Sequence, residues 1–173
     1  MTLSALVERY AQFEKRGVAF YCGFAERFAA HAAAARLWRE MSNTEASHFA
    51  LLELAQDWIA MAGSAGSAPP VTPETLEAVV ARMADLEAAA ERQGATLSEA
   101  LDVTLSWEEL ELPRILELLP HLPGKARGAV MAGMIAEAAE HYRMLGELCE
   151  TVGATGQAAR VTALAERARA ALG

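Results

Sequence analysis

The sequence predicts an all-α protein in which four long helices form an antiparallel bundle, with a crossover helix and a C-terminal helix added to it. Hydrophobic residues make up 53% of the chain but aromatic residues only 6%, and alanine is abundant throughout. This composition favours closely packed helices over a sheet. Apolar residues also recur at steps of three and four over long stretches, which is the period of a helix with one buried face. The length of 173 residues indicates one domain, residues 1–173.

Charge and composition also exclude several classes of partner. The formal net charge is −8 and the chain has no basic cluster, so we expect no nucleic acid partner, because phosphate binding needs concentrated Lys and Arg. No apolar run approaches the ~20 residues of a membrane span, and the N-terminus lacks the pattern of a signal peptide. Cys22 and Cys149 lie far apart and form no C-x-x-C pair. We therefore expect a cytoplasmic protein without membrane contact.

The first predicted helix covers residues 4–30, with Ser4 as its N-cap. Its apolar stripe contains one acid, Glu14, midway along the helix. A short polar break around His31 leads into the second helix, residues 33–62. Helices joined so tightly must be antiparallel neighbours, so that the middle of each helix faces the middle of the other.

The centre of the second helix carries the motif Glu45-Ala-Ser-His48. Glu45 and His48 are three residues apart, so they project from one helical face. That face is apolar on both sides of the pair, from Trp38 and Met41 to Leu52. A carboxylate and an imidazole in a core-facing stripe are costly to bury unless they are paired or bound to a metal.

The next segment is predicted to connect the two halves of the bundle. Residues 63–70, Gly-Ser-Ala-Gly-Ser-Ala-Pro-Pro, have the composition of a linker. Thr72 is a suitable N-cap, and Pro73 suits the first position of a helix that we place at residues 73–92. This helix contains no histidine. We interpret it as a crossover that carries little chemistry.

The second half repeats the plan of the first. The third bundle helix is predicted at residues 97–119 and the fourth at residues 125–152, and they carry Glu108 and His141 on their apolar stripes. Glu14 precedes His48 by 34 residues and Glu108 precedes His141 by 33. A final amphipathic helix, residues 157–172, is predicted to pack on the outside of the bundle or on a partner.

This constellation resembles that of a known family. A Glu from each of two helices, with Glu-x-x-His from each of the other two, is the ligand set of di-iron carboxylate bundles. The chain, over residues 3–152, is similar to the ferritin-like superfamily and in particular to its rubrerythrin-type branch. The resemblance implies a set of metal ligands, an extra carboxylate one turn after the ligand of the third helix, and a tyrosine that hydrogen-bonds the site. These are Glu14, Glu45, His48, Glu108 and His141, then Glu111, then Tyr21.

The chain departs from the family pattern in two places. Ala138 stands three residues before His141, where the family has a Glu. Glu137, one residue earlier, is the candidate to replace it as a metal ligand, and a π-bulge between Glu137 and His141 would redirect its carboxylate. The rubredoxin-like domain with its paired cysteines is absent, so electrons must come from a separate protein.

The resemblance implies a non-haem di-iron oxidoreductase that reduces peroxide or oxidises Fe(II) with dioxygen, with manganese or zinc as alternative metals. An exposed amphipathic tail would suit a homodimer. The alternative is a ferritin-like scaffold or iron-handling binding protein with a partly degenerate metal site. Under that interpretation His141 is a hydrogen-bonded core histidine and Glu111 is a solvated carboxylate at the edge of its stripe. His31 and His121 lie at helix ends, where we expect surface roles.

Overall fold

The computed structural model describes residues 1–62 and 69–172, and within these ranges all regular structure is helical. Residues 63–68 of the predicted linker lie outside the described part. In chain order the helices are α1 (Leu3–Arg27), α2 (Ala32–Met61), α3 (Pro73–Glu91), α4 (Leu97–Leu118), α5 (Gly124–Val130), α6 (Ala136–Thr151) and α7 (Thr155–Leu172). None of the described helices combines the length and apolar character needed to cross a membrane.

The helix ends follow the sequence signals to within three residues, with two differences. The N-cap of α1 is Thr2, whose hydroxyl accepts a hydrogen bond from the backbone N–H of Ala5, so the prediction of Ser4 was wrong by two residues. The predicted fourth bundle helix consists of α5, a π-helical turn at Met131–Ile135 and α6. The turn places one extra residue in the helix just before the segment that carries His141.

Helices α1 and α2 pack side by side in opposite directions, as the sequence predicted. The indole of Trp38 stacks on the Phe24 ring with centroids 4.9 Å apart. One turn further along α2, the Ser42 hydroxyl donates to the carbonyl of Val18 at 2.9 Å. Since the partner on α1 moves backward as α2 advances, the two helices are antiparallel, and their centres meet.

Helices α4 and α6 close the other side of this pair. Trp107 of α4 stacks on Phe20 of α1, and Thr104 of α4 accepts a hydrogen bond from the Trp38 indole of α2 at 3.0 Å. The α4 and α6 helices contact each other through the Tyr142 hydroxyl, which donates to Glu108. The buried space among these helices holds the carboxylates and imidazoles.

The remaining helices cover the outside. Helix α3 packs on α1 and α4 and is tied to α1 by the ion pair of Arg16 with Glu87, at 2.7 Å. Helix α7 packs on α6 and α4 and buries Val161 and Leu164 there. The apolar face of the C-terminal helix is therefore covered by its own chain, the first of the two placements that the sequence predicted.

Candidate metal site

Four side chains from three helices converge in the interior. They are Glu14 of α1, Glu45 and His48 of α2, and Glu111 of α4, and one ligand atom from each lies within 4.8 Å of the others. Glu14, Glu45 and His48 are at most 5% exposed, whereas Glu111 is partly buried. This group of three carboxylates and one imidazole can hold a metal ion. We call these four residues the Glu/His cluster.

Close packing of α1 on α2 gives Glu45 its place in the cluster. A Cβ atom built at Gly17 would lie 3.0 Å from Cγ and 3.2 Å from Oε2 of Glu45. Any other residue at this position would therefore push against the carboxyl group of Glu45. The stripe of apolar residues does not reveal this role, because it shows only that Gly17 faces the core.

The ring of His48 has a different environment at each nitrogen. Its Nδ1 lies 3.3 Å from Oε2 of Glu14 and 3.8 Å from Oε2 of Glu45. Its Nε2 lies 3.2 Å from Oε2 of Glu137, whose side chain is 48% exposed. Nδ1 therefore faces the Glu/His cluster, and Nε2 faces outward to α6.

These short distances are not hydrogen bonds of good geometry. Among the described residues, neither oxygen of Glu14, nor Oε2 of Glu45, nor either nitrogen of His48 has a hydrogen-bond partner. Native proteins rarely bury polar atoms without partners, because the lost hydration is not replaced. Several such atoms facing one point are the arrangement that a cation would satisfy.

The electrostatics of the Glu/His cluster indicate an excess of negative charge. Burial, followed by the charges of Glu111 and Glu45, raises the pKa of Glu14 well above its usual value. Burial and the charges of Glu45 and Glu108 do the same to the pKa of Glu111. Burial also acts to raise the pKa of Glu45, but the close approach of Glu14 and His48 and the charge of His48 outweigh it and lower that pKa. The cluster must therefore hold protons or a cation.

Glu108 lies beside the cluster and is held by two tyrosines. The Tyr21 hydroxyl donates to its Oε1 at 2.5 Å and the Tyr142 hydroxyl to its Oε2 at 3.0 Å. Burial and the charge of Glu45 raise the pKa of Glu108 to about 7, although both tyrosine hydrogen bonds act in the opposite direction. Sequence reasoning named Tyr21 but missed Tyr142, whose contact depends on the alignment of α4 with α6.

His141 and Glu137 are placed differently from their predicted roles. His141 lies with Nε2 3.0 Å from the Thr44 hydroxyl, and burial lowers its pKa to about 4, so it is neutral at pH 7. Glu137 contacts the outer edge of the His48 ring and is not among the four converging residues. The π-helical turn precedes Glu137, so the prediction of a bulge between Glu137 and His141 was wrong.

The position of the missing carboxylate is a small cavity. A space of about 20 Å³, enough for roughly one water molecule, lies among Glu45, Glu108, Ala138, His141 and Tyr142. Residues of the Glu/His cluster and residues of α6 both line this cavity. The chain therefore has polar groups on the α6 side of the cluster, but no carboxylate at residue 138 to complete them.

The other two histidines lie at helix ends, as predicted. His31 is exposed at the start of α2, and His121 lies in a short 3-10 turn at Leu119–His121.

Comparisons of the chain with protein-family models, with curated proteins and with solved structures give no match.

Proposed function

We propose that this protein is a ferritin-like, rubrerythrin-type oxidoreductase that uses bound iron to reduce peroxide or to oxidise Fe(II) with dioxygen. The observation that carries the proposal is the convergence of buried, unpartnered ligand atoms of Glu14, Glu45 and His48 with the carboxylate of Glu111. Carboxylates and imidazole together suit iron, with manganese and zinc as competitors. Bound iron would supply the redox chemistry on peroxide or dioxygen.

The proposed architecture is an antiparallel four-helix bundle formed by α1, α2, α4 and the α5–α6 segment. Its support is the set of contacts that join α1 to α2, α1 to α4, α2 to α6 and α4 to α6. Helix α3 is the crossover and α7 an added outer helix. The candidate ligands then come from the middle of the bundle helices, where water is excluded.

Each residue of the Glu/His cluster has a distinct part in binding. Glu14, Glu45 and Glu111 supply the negative charge that neutralises the cation, and binding displaces the protons that the raised pKa values of Glu14 and Glu111 retain. His48 offers Nδ1. Glu137, at the other ring nitrogen, orients the imidazole and increases its basicity, as carboxylates beside metal-bound histidines do.

A second metal position is proposed on the α6 side, with Glu108 and His141 as its ligands. This position is weaker, because Ala138 supplies no carboxylate and Glu137 is directed to His48. Glu108 and His141 also have hydrogen-bonding partners of their own in Tyr21, Tyr142 and Thr44. We expect the Glu/His cluster to fill first and the second position to fill poorly.

The missing carboxylate at Ala138 favours one alternative function. With a single tight site, the protein would be an iron-handling binding protein or a ferritin-like scaffold rather than a di-iron enzyme. A separate electron-donor protein is needed only if the protein is an enzyme. The sequence suggested a homodimer because the amphipathic C-terminal helix was expected to be exposed. That reason no longer applies, because α4 and α6 of the same chain cover the apolar face of α7.

Single-turnover measurements separate these functions. Protein loaded anaerobically with Fe(II) is mixed with hydrogen peroxide or with dioxygen, and oxidant consumption and Fe(III) absorbance are followed. Fast consumption of peroxide supports a peroxidase, and fast oxidation by dioxygen supports a ferroxidase. Iron that is bound but reacts with neither faster than free Fe(II) supports the binding protein. In either active case, Glu45→Gln should lose the reaction and His31→Ala should retain it.

A further inference from the structure

Trp107 connects the Glu/His cluster to the outer side of α1. Its indole Nε1 donates a hydrogen bond to Oε2 of Glu111 at 3.1 Å. Its ring stacks on Phe20, with centroids 4.3 Å apart and an angle of 20° between the planes. Trp107 itself is 1% exposed. An electron that leaves or reaches this indole from solvent must therefore pass a neighbouring group, and Phe20 is the ring most closely stacked on it.

Phe20 borders a wide groove on the surface of the described chain. This groove of about 490 Å³ runs between α1 and α3, and its volume is in the range of small-molecule sites. Phe20 and Phe24 form its aromatic floor, while Lys15 and the paired Arg16 and Glu87 lie at its walls. The groove thus gives a donor from solvent access to the Phe20 side of the Phe20–Trp107 stack, whereas the second cavity that Trp107 lines, with Glu14 and Glu111, has room for only about 10 Å³.

The other aromatic side chains that donate hydrogen bonds are placed less well for this purpose. The Trp38 indole donates to Thr104, which is not a candidate ligand. Tyr21 and Tyr142 donate to Glu108, beside the Glu/His cluster, and both are fully buried. Among the tryptophans, all of which lie in the described part of the chain, Trp107 alone has a hydrogen bond to a residue of the Glu/His cluster.

We infer that Trp107 is an electron relay between the α1–α3 groove and the metal site; this inference rests on the proposed oxidoreductase function. With iron bound and oxidised, the indole would give it one electron, and the Nε1 proton would move along the hydrogen bond to Oε2 of Glu111. A one-electron donor in the groove then returns the electron, and Glu111 returns the proton. Two such cycles, with two protons from solvent, reduce one hydrogen peroxide to two water molecules.

The test looks for the oxidised indole directly. Fe(II)-loaded protein is mixed with hydrogen peroxide without a reductant, frozen rapidly, and analysed by electron paramagnetic resonance and by peptide mass spectrometry. The expected result is an indolyl radical and oxidation products at Trp107. Trp107→Phe, which keeps a ring against Phe20, should lose both signals. Trp58→Phe is the control, because Trp58 is a partly buried tryptophan on α2 with Lys125 over its ring. This variant should keep both signals.

A second variant separates the relay from a role in holding Glu111. Phe20→Leu removes the stack but leaves the hydrogen bond of Trp107 to Glu111. With ascorbate as the donor, the radical should form normally in this variant and decay more slowly than in the parent. If the radical of Phe20→Leu decays at the rate of the parent, the relay is overturned, even if Trp107→Phe has lost iron.

The remaining outcomes distinguish this inference from the function on which it rests. Iron binding with fast peroxide consumption, but no radical or product at Trp107, overturns the relay and leaves the oxidoreductase standing. Oxidation spread equally over Trp38, Trp58 and Trp107 also overturns it. Protein that binds no iron overturns both.

Discussion

Nδ1 of His48 and Oε2 of Glu14 lie 3.3 Å apart on neighbouring helices, yet the two side chains form no hydrogen bond. Both atoms are buried, and each faces the space that Glu45 and Glu111 also face. Removing charged or polar groups from water without pairing them costs free energy. A cation at the common point would satisfy both atoms, and the predictions that follow depend on this interpretation.

Gly17→Ala tests whether the position of Glu45 depends on the small residue opposite it. The added methyl group would contact the Glu45 carboxyl group at 3.0–3.2 Å, so Glu45 must move by a few tenths of an ångström. We expect metal affinity to fall roughly tenfold, equivalent to about 1.4 kcal/mol. Isothermal titration with the metal measures this.

Gly23→Ala is the matched control for that change, because the same substitution on the same helix meets nothing within 4 Å. It should leave metal affinity unchanged and increase stability by up to about 1 kcal/mol through helix propensity. Equal metal affinity in the two variants would show that Glu45 tolerates the methyl group or binds no metal.

Glu137→Gln tests the role of the carboxylate at the outer edge of the His48 ring. Loss of such a partner typically lowers metal affinity about 10-fold to 100-fold, and we expect a loss in that range for the first ion. Glu150→Gln, at an exposed position of α6, is the control. If Glu137→Gln removes only a second, weaker ion, then Glu137 is itself a ligand of that ion, as the sequence first suggested.

Ala138→Glu restores the carboxylate that the family pattern has at this position. The cavity there holds only about 20 Å³, so without metal we expect overpacking and an extra buried acid to destabilise the variant by about 1–3 kcal/mol. With metal, the second ion should bind more tightly than in the parent. Stepwise titration with thermal unfolding measures both effects. No gain for the second ion would mean that the α6 side never completes a metal position.

The metal-free protein should become less stable as pH rises from 6.5 to 8. Glu108, with its pKa raised to about 7, and His48, with its pKa also raised, hold protons in the folded state that the unfolded chain has released. Stability from such groups is present at low pH and lost as pH rises through the folded pKa. For Glu108 alone this loss is on the order of 1 kcal/mol. The lowered pKa of His141, about 4, has the opposite effect, because it makes stability rise with pH, mainly below pH 6.5.

Thermal unfolding across that pH range checks the sign. Metal binding displaces the same protons, so saturating metal should stabilise the protein more at pH 8 than at pH 6.5. A metal-free protein whose stability rises with pH would contradict the assignment of protonated carboxyl groups in the cluster.

The all-helical fold class and three residues of the site could be predicted because the buried face of a helix is visible as a periodic pattern in the sequence. Glu14, Glu45 and His48 stood out as polar residues within apolar stripes, and the short connection at His31 was enough to bring them together. These inferences need only helical periodicity and a tight turn. They are properties of one or two neighbouring helices.

What the sequence could not predict depends on how distant helices align. The contacts of Tyr142 with Glu108 and of Glu137 with His48 are set by how far α6 is shifted along its neighbours. The π-helical turn at Met131–Ile135 changes that alignment, and no residue pattern marked its position. Trp107 was also missed, although its hydrogen-bond partner Glu111 lies only one turn later on the same helix.

Iron bound per chain is the most direct measure of the central claim. Protein purified without chelators is titrated anaerobically with Fe(II), desalted and analysed for iron, alongside Glu45→Gln, His48→Ala and the exposed control His31→Ala. We predict one tightly retained ion in the parent and in His31→Ala, and its loss in the two cluster variants. A parent that retains no iron, or equal retention in all four proteins, would contradict a metal site at Glu14, Glu45, His48 and Glu111.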